Sequence, residues 1–180
     1  MSGVNGEREE LAADLERARA DFHHLLAATG AEEWGAPTNG TRWTNEELLF
    51  HMVFGYMIVQ RLLPLMWLFG RLPAGIGTAH ARALNAATRP FDVINFYGSR
   101  AAARVYNRRR MGRKMDRVVA SLQRSLERKS DAELARGMAY PSRWDPYFRN
   151  YMTFADLYRY PGRHYDHHRK QLTISGIREA

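Results

Sequence analysis

"LLFHMVFGYMIVQRLLPLMWLF", residues 48–69, decides what kind of fold this chain adopts. The run is long and apolar enough to cross a bilayer. It also contains His51, Gln60, Arg61 and Pro64. A charge at the centre of a bilayer costs at least about 2.5 kcal/mol, and a helix-interior proline removes a backbone hydrogen bond. The run therefore reads as the buried central helix of a globular domain, kinked at Pro64, and not as a membrane span. Its surplus hydrophobicity suits a greasy pocket or a homodimer interface. "TNEE", Thr44–Glu47, marks its start as a capping box: the Thr hydroxyl accepts from the first-turn backbone and Glu47 reaches back to the cap N–H.

Working outward, the flanking sequence repeats the same pattern. Leu11, Leu15, Ala18, Phe22, Leu25 and Leu26 recur at steps of three and four, predicting a first helix from about Glu7 to Ala28, ended by Gly30. Met115, Val118, Val119, Leu122 and Leu126 form the stripe of a third long helix over about Arg109–Lys129. A fourth opens at Thr153 or Phe154 and runs to about Ile174, with a bend expected at Pro161–Gly162. Residues 71–110 form a long basic connection, expected to hold short helices around Pro90. "SDAE", Ser130–Glu133, repeats the capping box and predicts a single short turn. No sustained alternation predicts strands. The expectation is an all-α four-helix bundle, with extra short helices between helices 2 and 3, filling residues 1–180 as one domain.

Composition narrows the chemistry. The 180 residues include no cysteine, so disulfides, a thiolate nucleophile and Cys-held metals are excluded. The formal charge of +8 is mostly arginine. A basic surface can attract nucleic acid, an acidic membrane or an anionic small molecule; no nucleic-acid-binding motif accompanies the charge, which disfavours the first. The opening residues are polar and helical, so a cytoplasmic protein is expected.

"HYDHHRKQL", residues 164–172, holds three of the seven histidines. His164 and His168 are four apart and share a helix face, so their imidazoles can converge on one metal ion. His167 lies about a hundred degrees away; it can replace His168 but not easily join both. Gln171 falls on the His164 face. The alternative is a solvated, basic helix end. His51, set in the apolar run, is the candidate third ligand; a core histidine with a hydrogen-bonded partner is the other reading. Three nitrogens with an open fourth position match a catalytic zinc-type site.

"WTNEELLFHM", residues 43–52, followed by "TFADLYRYPGRHYDHHRKQL", residues 153–172, resembles the DinB-like superfamily, in the Trp-Thr…His opening of its second helix and the His-x-x-x-His-Arg-x-Gln-Leu run of its last. The resemblance implies a four-helix bundle, often dimeric, with a divalent metal on His51, His164 and His168. Zinc, nickel and iron(II) all suit such a set. It further implies a thiol-dependent S-transferase-like enzyme, drawing on a low-molecular-weight thiol and a small electrophile as substrate. A metal-dependent hydrolase, and a cyclase-type or non-catalytic small-molecule-binding protein, are the alternatives. Hydrolysis wants a general base near the water. Asp166 points away, and Glu47, one turn before His51, is the weak candidate because capping already explains it. Arg104 and Arg108 are candidates to hold carboxylates at the pocket mouth. Trp43, Tyr56, Trp67, Phe96, Tyr97, Trp144 and Tyr147 are candidates for its walls.

Overall fold

The structure, a computed structural model, describes residues 3–177. Among them are seven α-helices: α1 (Gly3–Ala28), α2 (Asn45–Phe69), α3 (Ala74–Ala86), α4 (Thr88–Val105), α5 (Met111–Glu127), α6 (Asp131–Leu134) and α7 (Phe154–Arg169). The long helices α1, α5, α2 and α7 contact one another in that cyclic order and enclose the core. This is the expected four-helix bundle.

Each bundle helix buries the stripe its sequence carries. Leu11, Leu15, Ala18, Phe22 and Leu25 of α1 face Met115, Val118, Val119, Leu122 and Leu126 of α5, all almost fully buried. At about 25 cal/mol per Å² of apolar surface removed from water, such stripes are the main favourable term in the fold. In α2 the residues from Leu48 to Met52 are buried, His51 among them. The helix is apolar and long enough to cross a membrane by composition, and Leu65, Trp67 and Leu68 in its last turns are exposed.

Capping fixes where helices begin. Thr44 Oγ1 accepts from Glu47 N at 3.4 Å, and Thr44 N donates to Glu47 Oε2 at 3.2 Å. Ser130 and Glu133 form the same reciprocal pair on α6. Thr153 and Asp156 do so on α7, which pins the first turn of the helix that carries two histidines.

Pro161 does not break α7. The helix continues through it, and Gly162 beside it lies against α1, where a Cβ would fall 2.0 Å from Asp14 Oδ2. The pair is a close-packing device, and the next turn keeps the histidines in register.

Several expectations need correction. Two three-residue strands, β1 (Gly137–Ala139) and β2 (Tyr151–Thr153), pair antiparallel with Met138 opposite Met152. Three residues are too few to display an alternation, so the pattern missed them. The last helix ends at Arg169, short of Ile174; Leu172 and Ile174 are nevertheless buried, in chain that folds back onto the bundle. The basic connection is two substantial helices that meet at Ala87, three residues before Pro90, which sits in the first turn of α4. Proline is tolerated there because first-turn N–H groups have no helical acceptor. α1 does end just before Gly30, at Ala28, and the positive-φ glycine among the described residues is Gly40 (φ +72°), in the loop before α2.

Candidate metal centre

The bundle brings the three histidines together. His51 lies in the second turn of α2; His164 and His168 lie one turn apart on α7, which packs beside it. Ring centroids are 4.9 Å apart for His51 and His164, 4.8 Å for His51 and His168, and 4.5 Å for His164 and His168. One nitrogen from each can be chosen so that all lie within 4.8 Å of one another. His167 stays outside this group: it is exposed, with Tyr147 against its ring.

Gly55 makes the approach possible. It lies one helical turn after His51, on the same face of α2. A Cβ at this position would fall 2.7 Å from His164 Nδ1. The missing side chain is the space the imidazole occupies.

Two of the rings are oriented by partners. His51 Nδ1 lies 3.2 Å from Ser99 Oγ of α4. His168 Nδ1 donates to Gln171 Oε1 at 2.7 Å, which leaves Nε2 with its lone pair. His164 differs: among the described residues neither of its nitrogens makes a hydrogen bond. Its Nδ1 is buried without a partner, and its Nε2 stands 3.9 Å from Asp145 Oδ2. An unpartnered buried imidazole is costly, and coordination of a cation offsets that cost.

Burial sets the protonation state. It lowers His51 to about 3, with help from His168, and His168 to about 4. His164 is driven well below its ordinary value by burial and by the neighbouring rings. All three are neutral at pH 7, the form that ligates a metal. The donor set therefore fits a divalent ion.

The trio opens onto a cavity of about 210 Å³. Its walls are largely aromatic, with Trp43, Phe54, Phe91, Trp144 and Phe148. Trp43 stacks on His51 at 4.3 Å, and Trp144 on Phe91 at 4.1 Å. Asp145 also lines the cavity; its Oδ2 accepts from Tyr160 at 2.9 Å and its Oδ1 from Tyr147 N at 2.8 Å. Burial raises the Asp145 carboxyl, although those hydrogen bonds oppose it.

The expected walls divide. Trp43 and Trp144 do face the cavity, and Phe96 stacks behind Trp43 at 5.8 Å. Tyr56 is core, Trp67 and Tyr97 are exposed, and Tyr147 packs on His167. Arg104 and Arg108 are exposed and do not line the cavity. Glu47 is committed to its cap and to Arg100, whose Nε donates to it at 2.9 Å, and it does not reach the cavity. Asp166 pairs with Arg17 at 3.1 Å, away from the site as expected.

With this geometry in place, comparison decides the family: the sequence model of the DinB superfamily matches residues 14–172. The chain belongs to the DinB superfamily. No curated protein and no solved structure matches it. Within this DinB-superfamily bundle, His51, His164 and His168 form a group that can hold a metal ion.

The residues missed by sequence reasoning are Gly55, Ser99 and Asp145. Only Gly55 left a signal, since it is a small residue four positions after His51.

Proposed function

We propose that this DinB-superfamily protein is a metal-dependent, thiol-dependent S-transferase acting on a small electrophile. One observation carries the reading: three neutral imidazoles converge at the floor of an aromatic-walled cavity, one of them with no hydrogen bond of its own. A divalent ion held there supplies the Lewis acidity that lowers the pKa of an incoming thiol. Zinc, nickel and iron(II) suit three nitrogen donors. The absence of cysteine fits a sulfur nucleophile brought in from outside.

The chain's own residues divide the remaining work. The aromatic walls exclude water and hold an apolar electrophile beside the trio. Asp145 Oδ2 accepts the thiol proton, and Tyr160 keeps that carboxylate in place. The sulfur–carbon bond forms as the bond to the leaving group breaks, and the leaving group departs with that electron pair.

The test is a spectrum. A low-molecular-weight thiol added to the cobalt-substituted protein is expected to produce a sulfur-to-cobalt charge-transfer band. No change with any thiol tested sinks the transferase reading. Asp145 also favours a second reading, metal-dependent hydrolysis, in which the same carboxylate is the general base toward water. Ester or amide turnover abolished in Asp145→Asn, with no thiol band, selects it.

A further inference from the structure

The α2 face that carries His51 continues beyond the metal centre. Phe54, Ile58 and Arg61 follow His51 at helical spacing, so one stripe runs from the trio toward the middle of α2. Ten residues of helix from His51 to Arg61 span roughly 15 Å. A second cavity, of about 390 Å³, lies along this stripe. It shares Phe54, Ile58, Phe91 and Trp144 with the metal pocket, so the two are neighbours across common walls. Trp144 is held in place there, stacked on Phe91 and donating its Nε1 to Leu84 O at 2.7 Å.

The polar groups of the second cavity are confined to three side chains. Gln60 is already committed, its Nε2 donating to Ser121 Oγ at 2.8 Å. Arg61 and Lys114 are not: among the described residues neither pairs with a carboxylate, and Lys114 Nζ lies 5.3 Å from the Tyr106 ring centre. Three nitrogens that could hold a metal ion and two cations without an acidic partner among the described residues therefore lie at opposite ends of shared apolar walls.

We propose that the two cavities act as one channel that binds an amphipathic anion: a reactive head at the tri-His centre, an apolar spine along Phe54, Ile58, Phe91 and Trp144, and a carboxylate or similar anion between Arg61 and Lys114. This deepens the function proposed above and rests on the tri-His pocket being the reactive end. Apolar walls select the spine by burial, and the unpaired cations select the terminal charge.

The channel can be tested apart from the metal. Calorimetry on metal-free protein compares dodecanoate with butanoate and with dodecan-1-ol. Dodecanoate is expected to bind at least roughly tenfold tighter than either. The Arg61→Ala, Lys114→Ala double variant is expected to lose the preference for acid over alcohol, and the Arg61→Lys, Lys114→Arg double variant to keep it. Equal affinity for acid and alcohol, no dependence on chain length, or an acid preference that persists in the Arg61→Ala, Lys114→Ala double variant overturns the proposal. The cobalt–thiol band reads the transferase reading separately, so either can fail alone.

Discussion

α7 and α4 both pack against α2, and they do so in opposite ways. α7 buries an almost continuous face, from Phe154 through Tyr158 and Tyr160 to His164 and Tyr165. Its outer edge is tied to α1, where Asp21 accepts from Tyr165 at 2.7 Å and from Arg169 at 2.8 Å. α4 buries only Ser99 and Ala103, while Val93, Ile94 and Tyr97 are 57%, 69% and 61% exposed. Two of the three candidate ligands therefore sit on a well-packed seam of the core, and one orienting hydroxyl comes from a lightly packed arm. The contrast separates the residues that could hold a metal, placed by the bundle, from the connection that covers them. We propose that the exposed apolar residues at the end of α2, Leu65, Trp67 and Leu68, are covered by a second copy of the chain; a monomer by light scattering contradicts that.

If this division is right, acid acts on the seam. His51 and His168 sit near 3 and 4 in the folded protein against an ordinary value of 6.5. Because the folded values are depressed, the unfolded chain takes up more protons below 6.5, and stability is lost as pH falls from there toward the folded values. Metal-free protein is expected to lose roughly 3 kcal/mol between pH 6.5 and pH 5 in urea unfolding. A stability that is flat over that window contradicts the burial of neutral histidines.

Filling the gap opposite His164 is the next largest perturbation. Gly55→Ala places a methyl 2.7 Å from His164 Nδ1, so the ring or the helix must shift. A loss of about 1–3 kcal/mol and weaker metal binding are expected, because overpacking forces a buried side chain off its position. Unchanged metal affinity in a folded Gly55→Ala protein would show that the seam does not set the ligand geometry.

The arm should matter less. Ser99→Ala removes the hydroxyl beside His51 Nδ1 and is expected to weaken metal binding by roughly tenfold, with little effect on unfolding. A large loss of stability would mean that α4 is part of the core. Glu47→Gln is the mildest change. It weakens a cap and an ion pair with the half-exposed Arg100, for about 0.5–1 kcal/mol, and leaves metal content and turnover unaltered. A selective loss of turnover would restore Glu47 as a catalytic base.

The bundle was legible because its signals are local. Stripes such as Leu11–Leu15–Ala18–Phe22 and the Thr44–Glu47 box need only neighbours in sequence. The His164–His168 pair is legible for the same reason, since four residues make one helical turn. His51 was found as a polar residue in an apolar run that needed a partner. What stayed hidden depends on which distant segments meet. Ser99 reaches His51 across 48 positions, and Asp145 enters the cavity from a loop with no periodicity. The arm was misjudged because small, aromatic and basic residues alternate there without a stripe deep enough to mark where α3 ends and α4 begins. Arg104 and Arg108 were assigned to the mouth on charge alone, and charge does not specify direction.

The most direct test of the central claim is metal content per chain, measured on the protein as purified and after loading, for the wild type and for His51→Ala, His164→Ala and His168→Ala, with His167→Ala alongside. The account predicts about one equivalent of divalent metal in the wild type and in His167→Ala, and less than about a tenth in the other three. Metal absent from the loaded wild type, or retained in full by His164→Ala, would contradict it.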